Sequence, residues 1–380
     1  MKNNFCLVLF YCIGTFLLLQ ACEDKNKKTI VEEYDLPAPK IQISNPVPCL
    51  KEEVEFSFQT DLTANAVWSF GDNVTSSEKN IKHSYTEDGT YHIRLELSDG
   101  LGGKVSVDTT ISVMGKRLND DLADLINNPS KTWICAHRGN TYYGKKVGHI
   151  PENSIEAIQQ AIKAGAEMVE IDVRTTSDGI PIIMHDALID RTTNGGGAIV
   201  DMTLSFLKRF RLKSEDNVVT TSSVPTLEEA LLAGRGKIFY DLDLNDVNAL
   251  DIIKIVDSLH MNDRVALYCG SGKEFAKTIT DASPESILFP YVKKASMIDY
   301  WSVDPRIKMV QLGYDASTAQ SIVSAAKLKG IVSFANGLNE ACEALLQNDF
   351  TEVDKIKDLQ FQIIQTDYVE NLKAYLEKKK

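Results

Sequence analysis

From Lys131 onward the chain alternates apolar, strand-like runs with helical patterns, and it does so as far as its last residues. The runs lie near residues 132 to 137, 168 to 173, 181 to 185, 237 to 243, 264 to 269, 286 to 291, 330 to 335 and 361 to 366. Strands joined through helices must pair in parallel, because the helix carries the chain back to the same end of the sheet. Eight such units over about 250 residues predict an α/β fold, a TIM (β/α)8 barrel. Ile307 to Leu312 is a ninth candidate, expected to be a short strand or loop outside the closed set.

A chain of 380 residues is longer than one domain usually is, so a second folded unit is expected. With 43% hydrophobic and 25% charged residues it can bury a sizeable core and has no bias toward disorder. Its formal net charge of -12 argues against a protein that coats nucleic acid, since phosphate backbones are held mainly by lysine and arginine. Before the barrel, short alternating runs such as Val54 to Phe58, Val67 to Phe70 and Tyr91 to Leu97 are broken by Gly, Asp and Asn. That pattern predicts an immunoglobulin-like β-sandwich. The expected organisation is a leader at 1–21, a tether at 22–39, the sandwich at 40–115, a linker at 116–130 and the barrel at 131–380.

Trp68-Ser69-Phe70-Gly71-Asp72, followed by His83-Ser84-Tyr85 and Gly89-Thr90-Tyr91, resembles the PKD family. Trp68 and Phe70 share one face of a strand and are expected to fill the core, while Gly71-Asp72 turns the chain. The resemblance implies a spacer, or an adhesion module contacting protein or glycan. The first residues, with Lys2, the apolar run Phe5 to Leu19 and Leu19-Gln20-Ala21 before Cys22, resemble a bacterial lipoprotein signal. The alternative, a membrane-spanning helix, is disfavoured because the run is short and lacks a positive flank. The resemblance implies a lipid on Cys22 and a membrane anchor in the cell envelope, in the outer membrane or at the surface. Cys49, Cys135, Cys269 and Cys342 are widely spaced, which indicates neither a zinc site nor a disulfide framework.

The chemistry gathers at strand ends. Ala136 to Asn140 reads A-H-R-G-N where the first barrel strand stops. On the next strand Glu170 and Asp172 share a face, with Ile171 and Val173 on the other. Two carboxylates facing a barrel interior are costly unless a cation compensates them, and an all-oxygen ligand set suits Mg²⁺ or Ca²⁺. Thirteen residues after Asp172 comes His185-Asp186. Phosphodiester cleavage needs one group to take a proton from the attacking oxygen and another to protonate the departing alkoxide, and two histidines suit both tasks. Pro151 to Ser154 has a structural explanation as a helix start, with Glu156 completing a capping box from Asn153.

Taken in order, His137-Arg138-Gly139, Pro151-Glu152-Asn153-Ser154, Glu170-Ile171-Asp172, His185-Asp186, Arg191 to Gly195, Pro225 to Glu229 and Thr366-Asp367 resemble the glycerophosphodiester phosphodiesterase family. The resemblance implies a TIM barrel using one divalent cation, Mg or Ca, to hydrolyse small phosphodiesters of glycerol or a related polyol. It further implies that Glu170, Asp172 and Asp241 bind the metal, that His137 and His185 act as acid and base, and that Arg138 holds the phosphate; Glu152 is a supporting candidate. The fourth strand departs from the family: relatives commonly read E-x-K where this chain has Asp241-Leu242-Asp243. A carboxylate at Asp243 removes a phosphate contact unless it joins the metal shell or binds a second cation. Lys145 or Lys146 is a candidate to restore the missing positive charge, with a solvated loop as the preferred reading of that segment, and Ser333-Phe334 replaces an aromatic-rich strand end. Two other readings stay open: attack by a substrate hydroxyl to give a cyclic phosphate, and a non-catalytic binding lipoprotein with a degenerate site.

Overall fold

The computed structural model describes residues 34–48, 51–114, 118–128, 130–142, 148–245, 247–259, 261–270, 272–314 and 317–378. The leader, Cys22, Cys49, Lys145 and Lys146 lie outside the described residues. No helix among the described residues is long and apolar enough to cross a membrane.

The N-terminal domain is a β-sandwich. One sheet has the order β1 (Tyr34–Asp35), β8 (Gly103–Val113), β7 (Gly89–Ser98), β4 (Asn65–Ser69), β5 (Thr75–Ser76); the other has the order β2 (Lys40–Ile43), β3 (Val54–Gln59), β6 (Asn80–His83). Alternation places Val54, Phe56 and Phe58 from one sheet against Ala66, Trp68, Ile93, Leu95 and Leu97 from the other. Trp68 and Phe70 are fully buried, as their shared parity predicts. Tyr85 is fully buried beside them and donates its hydroxyl to the Phe70 carbonyl at 3.1 Å. Gly71 has φ +80°, and a side chain there would strike the His92 backbone at 2.9 Å, so the turn after Phe70 needs glycine.

The C-terminal domain is the barrel. Its parallel strands follow the order β14 (Ile287–Phe289), β13 (Val265–Tyr268), β12 (Phe239–Leu244), β10 (Met168–Thr175), β9 (Trp133–Ala136), β17 (Ile363–Thr366), β16 (Val332–Asn336), β15 (Met309–Leu312). Parallel bridges Leu288 to Ile307 and Tyr291 to Gln311 close the ring between β14 and β15. Met309–Leu312 is therefore a barrel strand, against the expectation that it would lie outside. β11 (Pro181–Ile183) is not one; it pairs antiparallel with the outer half of β10, Val173 opposite Ile183. Ile183 is buried in the main core and Ile182 in a satellite cluster with Met184, Ile189, Ile199, Leu207 and Val224, which makes the run read like a barrel strand.

The expected linker contains helix α1 (Leu118–Asn127), which is part of the barrel's core. Leu118, Leu122 and Leu125, spaced to share one face, pack against Trp133, Met168, Phe239, Phe289, Phe334 and other inward residues at the barrel's lower end. Burial of each leucine stabilises the fold by about 1.5–3 kcal/mol. The sandwich meets the barrel at the same end. Arg264 is 1% exposed, donates to the Val47 carbonyl and to Met114 Sδ at 3.3 Å, and pairs with Asp263.

Candidate active site

Strand parity decides what faces the barrel interior. On β10 Val169, Ile171 and Val173 pack outward in the main core, while Met168 points into the lower interior layer; Glu170 and Asp172 follow Met168 inward. On β12 Tyr240 and Leu242 go outward and Phe239 inward, so Asp241 and Asp243 also face in. The two strands pair in parallel with Glu170 beside Asp241 and Asp172 beside Asp243. Four carboxylates thus form a block above an apolar floor. Tyr268, Gln311, Asn336 and Gln365 continue this polar layer around a cavity of about 150 Å³ that His137, Arg138 and His185 also line. It opens at the C-terminal ends of the strands, where TIM-barrel sites lie.

His137, Arg138 and His185 reach this cavity by definable local routes, while Glu152 lies behind Arg138 and does not line it. β9 ends at Ala136, and the chain turns through Arg138 (φ +50°) and Gly139 (φ +82°). A Cβ at Gly139 would sit 2.5 Å from the Ala157 Cβ of helix α2 (Ile155–Ala164), so only glycine permits this close approach. The turn aims the Arg138 backbone N–H at Glu170 Oε2, 2.7 Å away. Its guanidinium donates to Glu152 at 3.1 Å and lies 3.4 Å from Asp172. His137 Nδ1 is 2.7 Å from Asp367, and its Nε2 lies 4.0 Å from Glu170. His185 is arranged in the same way, with Nδ1 2.6 Å from Asp186. Asp186 also receives Arg191, and Arg191 forks onto Glu152 with both contacts at 2.7 Å.

The helix start differs from the expectation in one useful respect. Ser154, not Asn153, is the N-cap and accepts from the Ala157 N–H at 3.0 Å, while Glu156 accepts from Ser222 instead of closing a box. Asn153, at φ +47°, is left free to clamp Asp172: its Nδ2 donates to Oδ2 at 2.8 Å and its Oδ1 accepts from the Asp172 N–H at 3.1 Å. Sequence reasoning assigned no role in the chemistry to Asp186, Arg191 or Asp367, and gave Asn153 a capping role alone. All four lie inside motifs that were recognised, so the signal was present without a geometry to interpret it. Tyr268, Gln311 and Gln365 were recoverable only by extending inward parity from the strands' apolar positions.

The electrostatics call for a cation. Burial, with the charges of Asp172 and Asp241, pushes the Glu170 carboxyl well above the usual carboxylate range, and burial beside Asp243 and Asp172 does the same to Asp241. Asp243 is pushed up to about 6, by burial first and then by Asp172. Asp241 is 2% exposed and its Oδ1 has no hydrogen-bond partner. A buried, unpartnered carboxylate oxygen among three further carboxylates fits a hard divalent cation. Glu170, Asp172 and Asp243 present ligand oxygens that all lie within 4.8 Å of one another. By contrast, Glu152 and Asp367 are held below the carboxylate range: burial opposes this, but Arg191 and Arg138 outweigh it at Glu152, and His137 and Arg138 at Asp367. Cys269 and Cys342 are pushed up to about 12 by burial, which keeps them as inert thiols.

Fold and site together define a TIM barrel whose mouth combines two carboxylate-backed histidines with a cation-binding acidic wall. The chain belongs to the glycerophosphoryl diester phosphodiesterase family, whose model matches residues 137–371, and residues 37–113 match a PKD domain. It is 28% identical over 233 residues to a glycerophosphodiester phosphodiesterase of Bacillus subtilis, covering 58% of this chain and 72% of that one. It is 37% identical over 127 residues to glycerophosphodiester phosphodiesterase 1 of Bos taurus, covering 32% of this chain. The chain spans only 37% of that relative's length. Among solved structures, a glycerophosphoryl diester phosphodiesterase from Parabacteroides distasonis superposes with a TM-score of 0.59 at 23% identity, over 68% of this chain and 92% of that one. An Oleispira antarctica phosphodiesterase in complex with the product sn-glycerol-3-phosphate superposes with a TM-score of 0.52 at 23% identity, over 65% and 97%.

Proposed function

We propose that the barrel hydrolyses glycerophosphodiesters, or phosphodiesters of a related polyol, to a phosphomonoester and an alcohol. One observation carries the reading: His137 and His185 each have Nδ1 tied to a carboxylate, and both line the cavity walled by Glu170, Asp172, Asp241 and Asp243. Tying Nδ1–H fixes the tautomer and leaves Nε2 to accept or return a proton. In the reaction a water oxygen bonds to phosphorus as the P–O bond to the alcohol breaks. One histidine takes the water's proton and the other protonates the departing alkoxide. Arg138 offers its guanidinium to the phosphate oxygens, and Glu152 holds that guanidinium in place. Glu170, Asp172 and Asp241 would hold a divalent cation, which would supply charge neutralisation and polarisation of the phosphoryl group.

Support from relatives is in kind: the family, its named members and the product bound in the Oleispira enzyme all concern this reaction class. The test is hydrolysis of a panel of glycerophosphodiesters with EDTA, Mg²⁺ or Ca²⁺, followed by phosphorus NMR. Cation-dependent release of a phosphomonoester is expected; a cyclic phosphate as final product would replace hydrolysis with intramolecular attack. His137→Ala and His185→Ala should each lower kcat by ~10²- to 10⁴-fold. Full activity in either variant removes that histidine from the mechanism. Turnover by neither the parent nor the variants would leave the binding-protein reading in its place.

We further propose that Cys22 carries a lipid and anchors the protein in the bacterial cell envelope. This rests on the apolar run Phe5 to Leu19 directly before Leu19-Gln20-Ala21-Cys22. Mass spectrometry of the mature N-terminus, and loss of Cys22→Ser from the membrane fraction, would test it.

A further inference from the structure

We infer that Asp243 is a ligand of the cation, and that the resulting four-carboxylate wall makes the site selective for Ca²⁺ over Mg²⁺. The inference rests on the proposed metal-assisted function and goes beyond it, because Asp243 stands where a lysine is expected. Three observations lead to it. Asp243 is the direct register partner of Asp172, and parity turns both into the cavity. Its carboxylate oxygen lies within 4.8 Å of ligand oxygens of both Glu170 and Asp172, no further than two opposed Ca–O bonds of about 2.4 Å reach. Independently, Asp241 is 2% exposed, lines the same cavity and has an Oδ1 with no partner.

The neighbours of these four groups orient them without neutralising them. Asn153 and Asn245 donate to Asp172, and the Arg138 backbone N–H donates to Glu170. Arg138 lies 3.4 Å from Asp172 and His137 lies 4.0 Å from Glu170, and the charges of His185, Arg138 and Arg174 also act on Asp243. The four carboxylates outnumber the two arginines beside them. Mg²⁺ is usually held by one or two carboxylates and keeps several waters at about 2.0–2.1 Å, whereas Ca²⁺ takes six to eight oxygens at about 2.3–2.6 Å with loose geometry. A wall rich in carboxylates, two of them on the shorter aspartate stem of β12, suits the larger ion. Asp243 thus exchanges a fixed positive charge at the phosphate for a fuller calcium shell, whose ion supplies that charge.

The test counts ligands as well as affinity. The metal-free full chain would be titrated calorimetrically with CaCl₂ and with MgCl₂, and loaded with Eu³⁺ as a luminescent calcium substitute. Lifetimes in H₂O and D₂O give the number of coordinated waters, which removal of a ligand raises and a mere through-space charge effect does not. The parent should bind Ca²⁺ at least about tenfold more tightly than Mg²⁺. Asp243→Ala should lose about tenfold or more of the Ca²⁺ affinity and hold at least one additional water on Eu³⁺. Asp243→Leu, close in shape and without a ligand oxygen, serves if the alanine variant does not fold. An unchanged water count removes Asp243 from the shell, whatever the affinity does; Mg²⁺ binding as tightly as Ca²⁺ removes the selectivity. If hydrolysis by the parent still needs a cation in either case, this inference falls alone. If the parent neither binds a cation nor turns over, the proposed function falls with it.

Discussion

Asp367 does for His137 what Asp186 does for His185: it accepts at Nδ1 and so fixes which ring nitrogen meets the substrate. The two supports differ in surroundings. Asp186 is itself held by Arg191, whereas among the described residues Asp367 is paired with His137 and, at longer range, Arg138. Replacing Asp367 by asparagine keeps the hydrogen bond but permits the amide to donate, which favours the wrong tautomer of His137. Asp367→Asn should therefore lower kcat by ~10²-fold with KM little changed. Steady-state kinetics decide it, and an unaltered kcat would reduce Asp367 to a packing role. This pairing shows what sequence can and cannot carry. Thr366-Asp367 was recognised as a motif 230 residues from His137, but only closure of the barrel, with β17 beside β9, brings them together. Glu152 was a weaker candidate because its motif doubled as a helix start; burial beside two arginines gives it a distinct task, positioning Arg138.

At the level of elements, inward parity on β10 and β12 was legible because Met168 to Val173 and Phe239 to Asp243 alternate apolar and acidic residues. The strand count was not. Pro181 to Ile183 and Met309 to Leu312 are both short apolar runs, and a buried strand in a satellite cluster has the same composition as one in the ring. Which of them closes the barrel depends on partner and direction, and neither leaves a local trace. The place of helix α1 is hard to read for a related reason: its flanks are polar and end in Asn-Asn-Pro, as a connector's would, yet its leucines floor the barrel. The consequence is testable. Leu122 is 1% exposed beneath the ring, and Leu122→Ala should leave a cavity there that costs about 2–5 kcal/mol. Urea unfolding followed through fluorescence of Trp133, which packs in the same cluster, measures it. A loss below about 0.5 kcal/mol, the range of surface substitutions, would mean that α1 is a linker after all.

On the scale of the whole molecule, the two domains meet through the buried Arg264 and a few contacts around it, while their stabilising charges are unevenly divided. In the barrel, Glu152, Asp186 and Asp367 are ionised and paired with Arg138, Arg191 and the two histidines, and their pKa values lie below the ordinary carboxylate range. A group depressed in the folded state contributes stability above its unfolded pKa and loses it as pH falls toward the folded value. For Glu152 that loss starts near 4.5, its ordinary value, and continues downward. Glu170, Asp241 and Asp243 have raised values and act with the opposite sign, Asp243 between its ordinary 3.8 and about 6. Below this window they are protonated in both states and give no further change. The sandwich core is built from apolar and aromatic residues, and the depressed Asp99 and Asp108 lie at its exposed surface, where ion pairs contribute little. Acid should therefore separate the domains. Calorimetry of the metal-free chain near pH 3.5 and again near pH 2, both below the window of the raised groups, should show the barrel's transition moving to lower temperature by more than the sandwich's, with Trp68 and Trp133 reporting on different melts. If both transitions move together, the contact through Arg264 couples the domains more strongly than the barrel's acid-sensitive pairs can divide them.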